Sequence, residues 1–171
     1  MKHDYIILTE NLKMRQVQPE DIFHIMEWRN NEETRKWFLN SKIITREEQA
    51  LWYQEYLEKD NDIMFAIEEK SNAYVIIGTI ALSDIDLDNH IAEAGRFMIG
   101  SPDAHGKGIG FESMAAVCEF GFKSIKLKKI YCRVYEDNKS CSKILSKVGF
   151  KIMSKEHIES NRDILIFEYL G

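Results

Sequence analysis

The segment His105–Gly110 has the residue types of a loop that binds phosphate. It consists of His, Gly, Lys, Gly, Ile and Gly, and it falls between a predicted strand and a predicted helix. Glycine lacks a Cβ, so its backbone adopts positive φ angles and approaches a ligand closely. A helix that begins here presents unpaired N–H groups and a partial positive charge to a phosphate or pyrophosphate. Lys107 would add a point charge, and a purely structural turn is the alternative.

The spacing of these glycines excludes two common nucleotide-binding motifs. The sequence contains no G-x-x-x-x-G-K-[ST], so the segment is not a P-loop. Gly106, Gly108 and Gly110 do not form G-x-G-x-x-G, and no simple βαβ unit opens the chain, which argues against a Rossmann site. The ligand therefore has to be inferred from the surrounding sequence.

A second motif lies further along the chain, at Asn138–Phe150. It resembles the pattern N-x-x-[AS]-x-x-x-[YL]-x-x-x-G-F, with Cys141 where the pattern has Ala or Ser and Leu145 at the Tyr-or-Leu position. Together with His105–Gly110, which follows the strand residues 97–99, this motif resembles the acetyl-CoA signature of the GNAT superfamily of N-acetyltransferases. The signature is [RQ]-x-x-G-x-[GA], and His105 stands where Arg or Gln is usual. The resemblance covers roughly residues 12–170.

The resemblance implies an enzyme that moves an acetyl group from its cosubstrate, acetyl-CoA, directly to an amine. It implies a single α/β domain over residues 1–171, with a mixed, mostly antiparallel sheet that is splayed at the acetyl-CoA site and flanked by about four helices. Family members bind pyrophosphate with loop N–H groups, polarise the thioester carbonyl with the preceding strand and contact the pantetheine arm with the motif Asn. The cofactor-binding residues implied here are Met98, Ile99, His105, Gly106, Lys107, Gly108, Ile109, Gly110, Asn138, Cys141 and Leu145.

Glu93 is the predicted general base, because an acceptor amine arrives as an ammonium ion and must lose a proton before it attacks. It lies in the central strand, near where several GNAT members have a catalytic Glu. The alternative is a strand glutamate that faces solvent or pairs with Arg96. Many relatives have a Tyr acid seven residues after the motif Asn, where this chain has Leu145. The thiolate, with a pKa near 8.5, would leave with little help.

Motifs in the N-terminal half of the chain indicate which class of amine is the acceptor. Trp28-Arg29-Asn30, Ile44-Thr45-x-x-Glu48 and Trp52 resemble the GNAT branch that acetylates nucleotide-linked amino sugars. A small-molecule amine, such as an amino sugar or a nucleotide-linked amino sugar, is therefore expected. The same half resembles acetyltransferases of ribosomal-protein N-termini, and a non-catalytic CoA-binding module is the alternative from another class. Trp28, Arg29 and Trp52 are predicted to line the acceptor pocket, with helix-face core positions as the alternative for the tryptophans.

Hydrophobic periodicity predicts the elements that carry these residues. Strands are expected at 12–17, 63–69, 74–82, 91–99, 129–134, 150–158 and 164–170. Helices are expected after Pro19, from the capping box Thr45/Glu48 to residue 59, along an apolar stripe at residues 114–121, and at 141–148. A hairpin loop is expected at 83–89 and a turn at 159–162.

The composition of the chain limits the kinds of binding partner that are expected. The 171 residues carry a net charge of −5, which argues against a nucleic-acid partner because phosphate contacts need clustered Lys and Arg. The run Tyr5–Leu8 is too short for a signal peptide or a membrane span. Three cysteines without metal-ligand spacing indicate reduced thiols and no metal. A cytoplasmic protein without a membrane partner is expected, and the resemblance makes a homodimer the assembly to test.

Overall fold

The computed structural model describes residues 2–158 and 162–171. These residues form eight strands and five α-helices. The strands are β1 (Ile7–Leu8), β2 (Leu12–Gln16), β3 (Ile63–Glu69), β4 (Val75–Asp86), β5 (Ile91–Ile99), β6 (Lys129–Tyr135), β7 (Lys151–Ile158) and β8 (Arg162–Leu170). The helices are α1 (Ile22–Asn30), α2 (Glu32–Arg35), α3 (Arg46–Glu58), α4 (Ile109–Lys123) and α5 (Lys139–Val148).

The strands form a sheet in the order β1-β2-β3-β4-β5-β6-β8-β7. Neighbouring strands are antiparallel except β5 and β6, which are parallel because the crossover through α4 returns the chain to the starting edge. The pairing of β5 with β6 ends at Glu93 and Tyr131. Beyond these residues β5 continues to pair with β4, and β6 continues to pair with β8. The sheet therefore opens into a wedge between residues 94–99 and residues 132–135.

Local signals in the sequence fix the ends of the helices beside this wedge. Before α3, Thr45 Oγ1 accepts a hydrogen bond from the N–H of Glu48 at 3.2 Å, and the Glu48 carboxylate accepts one from the N–H of Thr45 at 2.8 Å. This is the predicted capping box. α5 ends at Gly149, whose φ of 117° is left-handed and suits glycine.

The two faces of the sheet carry separate hydrophobic cores. The larger core packs α4 and α5 against one face and includes the fully buried Val117 and Leu145. The smaller core packs α1 and α3 against the other face and includes Tyr53, Tyr56 and Met98. The two faces of β5 therefore meet different environments, and this separates the two sides of the wedge.

The predicted mixed α/β fold with a mostly antiparallel sheet is confirmed, with differences in detail. The fifth helix, α2, is a single turn capped by Asn31, whose Oδ1 accepts from the N–H of Glu33 at 2.9 Å. β1 was not predicted, because two residues are too few for a periodic pattern. β4 extends to Asp86, so the predicted loop at 83–89 is wrong for its first four residues. Of the predicted turn at 159–162, only Arg162 is described.

α1 begins at Ile22, three residues after Pro19, rather than at the proline. The Asp21 carboxylate accepts a hydrogen bond from the N–H of Gln18 at 2.7 Å and pairs with Arg15 at 2.6 Å, so it holds the entry as a turn. Within residues 2–158 and 162–171, none of the helices has the length and apolar character needed to cross a bilayer.

Candidate active site

Within the wedge, the edge of β5 that faces β6 has no neighbouring strand. In antiparallel pairs, hydrogen-bonded residues alternate with residues that turn their N–H and C=O groups away from the partner strand. The N–H of Gly100 donates to the carbonyl of Ile77 at 2.8 Å, so Ile99, opposite Gly78, is turned away from β4. By the same alternation Met98 turns its N–H toward β4. The geometry leaves Ile99 as the residue whose amide faces the opening.

A β-bulge interrupts β5 inside the wedge. Thr79 lies opposite Met98 and Ala81 opposite Gly95, so β5 has one residue more than β4 over this interval. Arg96 has a left-handed φ of 45°, and its carbonyl accepts a hydrogen bond from Thr79 Oγ1 at 2.8 Å. The bulge shifts the alternation of side chains by one residue. Met98 consequently packs into the smaller core, on the opposite side from Ala94.

The loop after β5 has the geometry of an anion site. Gly106 and Gly108 have φ angles of 78° and 81°, and a Cβ on either would have no atom within 4 Å. Glycine is therefore required by the backbone conformation, and the space in front of both residues is open. α4 has no side-chain cap, and the N–H of Glu112 is bonded to the carbonyl of Gly108 at 3.1 Å. The N–H groups of residues 109–111 thus lack helical partners, which fits a pyrophosphate.

The charged side chains of this loop are engaged with the protein. Lys107 Nζ lies 3.1 Å from Glu69 Oε1, and His105 Nε2 lies 2.8 Å from the carbonyl oxygen of Ile99. The Glu112 carboxylate accepts hydrogen bonds from Thr9 and Asn11 at 2.5–3.0 Å. Partial burial raises the pKa of Glu112, but these hydrogen bonds outweigh it and the net pKa is lowered. That carboxylate is therefore held toward the β1–β2 connection.

The second motif begins α5 on the same side of the sheet. Asn138 Oδ1 accepts from the N–H of Cys141 at 3.1 Å, so the side chain is the N-cap and its amide NH₂ remains a donor. Gly110 packs against Ile144, whose Cδ1 would lie 2.8 Å from an added Cβ. Burial raises the pKa of Cys141 to about 11, and Leu145 is fully buried in the larger core. The predicted ligand contacts of Cys141 and Leu145 stay predictions.

Glu93 lies at the vertex of the wedge and is bound by Arg133. Its Oε2 accepts from Arg133 Nη2 at 2.8 Å, and its Oε1 accepts from Nε at 3.2 Å. These hydrogen bonds raise the pKa of Arg133. The alternative pairing with Arg96 is wrong, because Arg96 binds the buried Asp62 instead. Sequence reasoning missed Arg133 because it lies 40 residues away and no local pattern reveals the parallel register.

The predicted acceptor-binding residues lie on the face with the smaller core. Trp28 and Trp52 are half-buried and pack against that core. Trp28 lies directly over Gly100 at the end of β5, where any Cβ would clash with the indole. Arg29 donates to the carbonyl of Asn40 and stacks 3.9 Å over the ring of Phe38. Burial, with a smaller effect from the charge of Arg35, lowers the pKa of Arg29.

Asn30 fixes the connection between α1 and α3. Its Nδ2 donates to the carbonyl of Ile44, and its Oδ1 accepts from the N–H of the same residue, both at 2.8 Å. From the sequence, Asn30 was part of a short resemblance or a simple cap at the end of a helix. The paired hydrogen bonds give it a structural role at the wedge, since they hold the segment that follows α2.

Arg162 connects the segment after α2 to the end of β6, on the other side of the wedge. Its Nη1 donates to the carbonyl of Lys36 at 2.9 Å, and its Nη2 donates to Asp137 Oδ1 at 2.7 Å. The guanidinium lies 3.6 Å from the ring centroid of Tyr135 and 5.4 Å from that of Trp37. Residues 28–37 therefore cross the wedge from the end of β5 to the end of β6. No signal in the sequence indicated these contacts, which join residues more than 120 positions apart.

Residues 11–151 match the family model for the acetyltransferase (GNAT) domain. The SPbeta prophage-derived uncharacterized N-acetyltransferase YokL of Bacillus subtilis is 31% identical over 143 residues, which cover 82% of this chain and 76% of that protein. Spermidine N(1)-acetyltransferase of Escherichia coli K12 is 24% identical over 148 residues, which cover 84% and 75%.

A solved structure has the same architecture. Spermidine N-acetyltransferase from Vibrio cholerae, in complex with CoA and spermine, superimposes with a TM-score of 0.87 at 20% identity and covers 95% of this chain and 96% of that one. At this identity the likeness concerns the fold. The family match, the wedge and the glycine loop agree on the assignment. The chain belongs to the GNAT family of N-acetyltransferases, whose cosubstrate is acetyl-CoA.

Proposed function

We propose that this protein, as a single domain, transfers the acetyl group of acetyl-CoA directly to the primary amine of a small molecule. The observation that carries the proposal is the wedge, where β5 and β6 stop pairing after Glu93 and Tyr131 while a loop of free N–H groups follows β5. A ligand that lies in the wedge can pair with the exposed edge of β5 and reach the loop with its phosphates. The cosubstrate supplies an activated thioester carbonyl.

The residues of the wedge have separate tasks in this proposal. The N–H of Ile99 donates to the carbonyl oxygen as negative charge develops there. Residues 108–111 bind the pyrophosphate with their N–H groups, and Asn138 donates its free NH₂ to the pantetheine arm. Trp28, Arg29 and Trp52 border the acceptor side.

Glu93 is proposed as the base that accepts the proton of the acceptor ammonium, directly or through a water molecule. It lies at the vertex of the wedge with an exposed fraction of 12%, so its carboxylate is sheltered. Both oxygens accept from Arg133, which fixes the orientation of the carboxylate. Arg133 is therefore a positioning residue in this proposal. We expect Glu93→Gln to lower kcat about 100-fold or more with little change in the KM for acetyl-CoA.

No protein acid is proposed for the leaving thiolate. Leu145 has no proton to give, and the pKa of Cys141 is about 11. Proton transfer from such a group to a thiolate with a pKa of about 8.5 is unfavourable by roughly 3 kcal/mol. Water, or the proton released from the acceptor amine, is the more favourable proton source for the thiolate.

The small-molecule acceptor is favoured over a protein N-terminus by the covering of the wedge. Residues 28–37 cross it and are fastened at both ends by Trp28 on Gly100 and by Arg162, which leaves less room for a polypeptide. Relatives named as spermidine acetyltransferases add weight to a small amine. Amino sugars and nucleotide-linked amino sugars, ribosomal-protein N-termini and a non-catalytic CoA-binding role are the alternatives to test, and a homodimer is the proposed assembly.

The test is thiol release from acetyl-CoA with a panel of amines: polyamines, amino sugars and their nucleotide conjugates, aminoglycosides and peptides with free N-termini. Turnover with one small-amine class, lost in Glu93→Gln, would support the acceptor and the base. Turnover that survives Glu93→Gln would remove Glu93 from the mechanism. Glu119→Gln is the matched control, because this carboxylate is ion-paired with Lys123 on the exposed face of α4. Acetyl-CoA binding without turnover across the panel would favour the non-catalytic module.

A further inference from the structure

Arg162 occupies a site with the chemistry of a cation-binding pocket. Its guanidinium stacks on Tyr135 at 3.6 Å and lies 5.4 Å from Trp37. The Asp137 carboxylate accepts one of its N–H groups and the carbonyl of Lys36 accepts another. Two aromatic rings, one carboxylate and one carbonyl oxygen form the set of groups that binds ammonium and guanidinium ligands. We define these groups of Tyr135, Trp37, Asp137 and Lys36 as the aromatic cage.

The aromatic cage lies at the open end of the wedge. Tyr135 is the last residue of β6, and β6 has left β5 since Tyr131. Trp37 belongs to the segment that crosses the wedge from Trp28. An acceptor whose reacting amine lies near Ile99 would extend between β6 and the segment of residues 28–37 toward the cage.

The two charged groups at the cage, Arg162 and Asp137, border an open cleft. Arg162 and Asp137 have exposed fractions of 30% and 64%, and with Glu136, His157 and Asp163 they line a cleft of about 380 Å³. Among the neighbouring cations, Lys36 pairs with Glu33 and shares the Trp37 ring, 5.3 Å from its centroid, while Lys155 pairs with Glu136 and Asp163. Lys139 also lies near Asp137. Arg162 is therefore the cation that an incoming positive charge would replace.

We propose that the aromatic cage binds the second positive charge of a dicationic or oligocationic acceptor, and that Arg162 fills it until such an acceptor displaces the guanidinium. This rests on the proposed function and deepens it, because it gives the acceptor class as an amine that carries another cation at a distance. A monoamine has no second cation to bind in the cage and leaves Arg162 in place.

The proposal predicts a change in selectivity when the cage is emptied. In Arg162→Ala a diamine no longer competes with the guanidinium, so its affinity rises, by roughly tenfold for a desolvated cation on aromatic rings. The affinity for a monoamine of the same length stays within about twofold, because it has no second cation to bind the cage. Arg162→Lys should give an intermediate gain, since an ammonium lacks the planar stacking of a guanidinium.

Substitution of Asp137 provides a second, independent test of the proposal. Asp137→Asn weakens the cage equally for Arg162 and for the diamine, so in the wild-type background the preference for the diamine should change little. In the Arg162→Ala background the same substitution should reverse most of the gain. Lys123→Ala is the control for the loss of one positive charge, because Lys123 pairs with Glu119 on α4 and its partner does not line the cleft beside the cage.

The experiment measures dissociation constants by calorimetry, with saturating CoA, for a series of α,ω-diamines and their matched monoamines. A diamine gain in Arg162→Ala that Asp137→Asn removes supports the cage. An unchanged ratio of diamine to monoamine affinity, or an equal loss for both, overturns it. If Arg162→Ala is unfolded by circular dichroism, Arg162→Lys decides by the same ratio. Turnover is measured separately, so a chain that binds diamines through the cage but acetylates no amine would reject the proposed function alone.

Discussion

The two sides of the wedge are built in opposite ways. The side proposed to bind acetyl-CoA, which we call the cofactor wall and define as Ile99, residues 105–111 and residues 138–145, consists of two short motifs that each fold locally against the larger core. The acceptor wall, defined as residues 28–44 with Arg162, is held by contacts between residues far apart in sequence. Asn30 binds Ile44, and Arg162 binds Lys36 across 126 positions.

This difference predicts how the two walls respond to substitution. The cofactor wall depends on backbone N–H groups and on glycine conformation, so few side chains can change without loss of the site. The acceptor wall depends on individual side-chain contacts at the surface, which can be exchanged one at a time. Substitutions on the two walls should therefore have separable effects. Three predictions are ordered from the largest expected effect to the smallest, one on the helices behind the walls and two on the walls themselves.

Met114→Ala should give the largest loss of stability, because Met114 is fully buried where α4 closes the larger core. Removing a buried Met side chain typically costs about 2–5 kcal/mol of unfolding free energy. Met26→Ala on α1 is the matched control and should cost less, because Met26 is 9% exposed and solvent can fill the space. Urea unfolding followed by circular dichroism measures both. Equal losses would contradict the distinction between a closed and a looser core.

Gly108→Ala should weaken the cofactor wall alone. A residue with a Cβ at a φ of 81° is disfavoured by about 1–2 kcal/mol, so the loop would abandon the conformation that presents its N–H groups. We expect the KM for acetyl-CoA to rise about tenfold, while the KM for the amine stays nearly constant.

The control for Gly108 is Lys126→Gly, at the other end of α4. Lys126 has a left-handed φ of 65°, so glycine relieves strain there, and the KM for acetyl-CoA should not change. A parallel rise of both KM values in Gly108→Ala would mean that the loop serves the acceptor as well.

Asn30→Ala should have the smallest effect and should fall on the acceptor. The substitution removes both hydrogen bonds to Ile44, at a cost of roughly 1–2 kcal/mol for the local structure. We expect the KM for the amine to rise a few-fold while the KM for acetyl-CoA is unchanged. Asn89→Ala is the control, because its side-chain NH₂ donates to Asp86 within the β4–β5 turn, away from both walls. A rise in the KM for acetyl-CoA would show that the walls are coupled.

Much of the cofactor side could be predicted from the sequence, because its signals are local. The glycines of residues 106–110, the cap at Asn138 and the end of α5 at Gly149 each depend on a few consecutive residues. The capping box of α3 was found for the same reason. These features require only the backbone conformation and hydrogen bonds of one turn.

The partners of single charged residues could not be predicted. Glu93 was expected to face solvent, to pair with Arg96 or to act as a base, and it is bound by Arg133. Lys107 was expected to bind a phosphate, and in the structure its ammonium contacts Glu69. An ion pair depends on which strands become neighbours and in which register, and a bulge such as the one at Arg96 changes the register by one residue.

By itself, the sequence determined the family, the order of most elements and the position of the loop that suits the cosubstrate. These follow from periodicity, caps and glycine spacing, which act over a few residues. Only the tertiary structure decided where β5 leaves β6, which amide faces the opening, and that Arg162 lies between Tyr135 and Trp37. Such contacts join distant residues, and their geometry is set by the packing of the whole sheet rather than by any local preference.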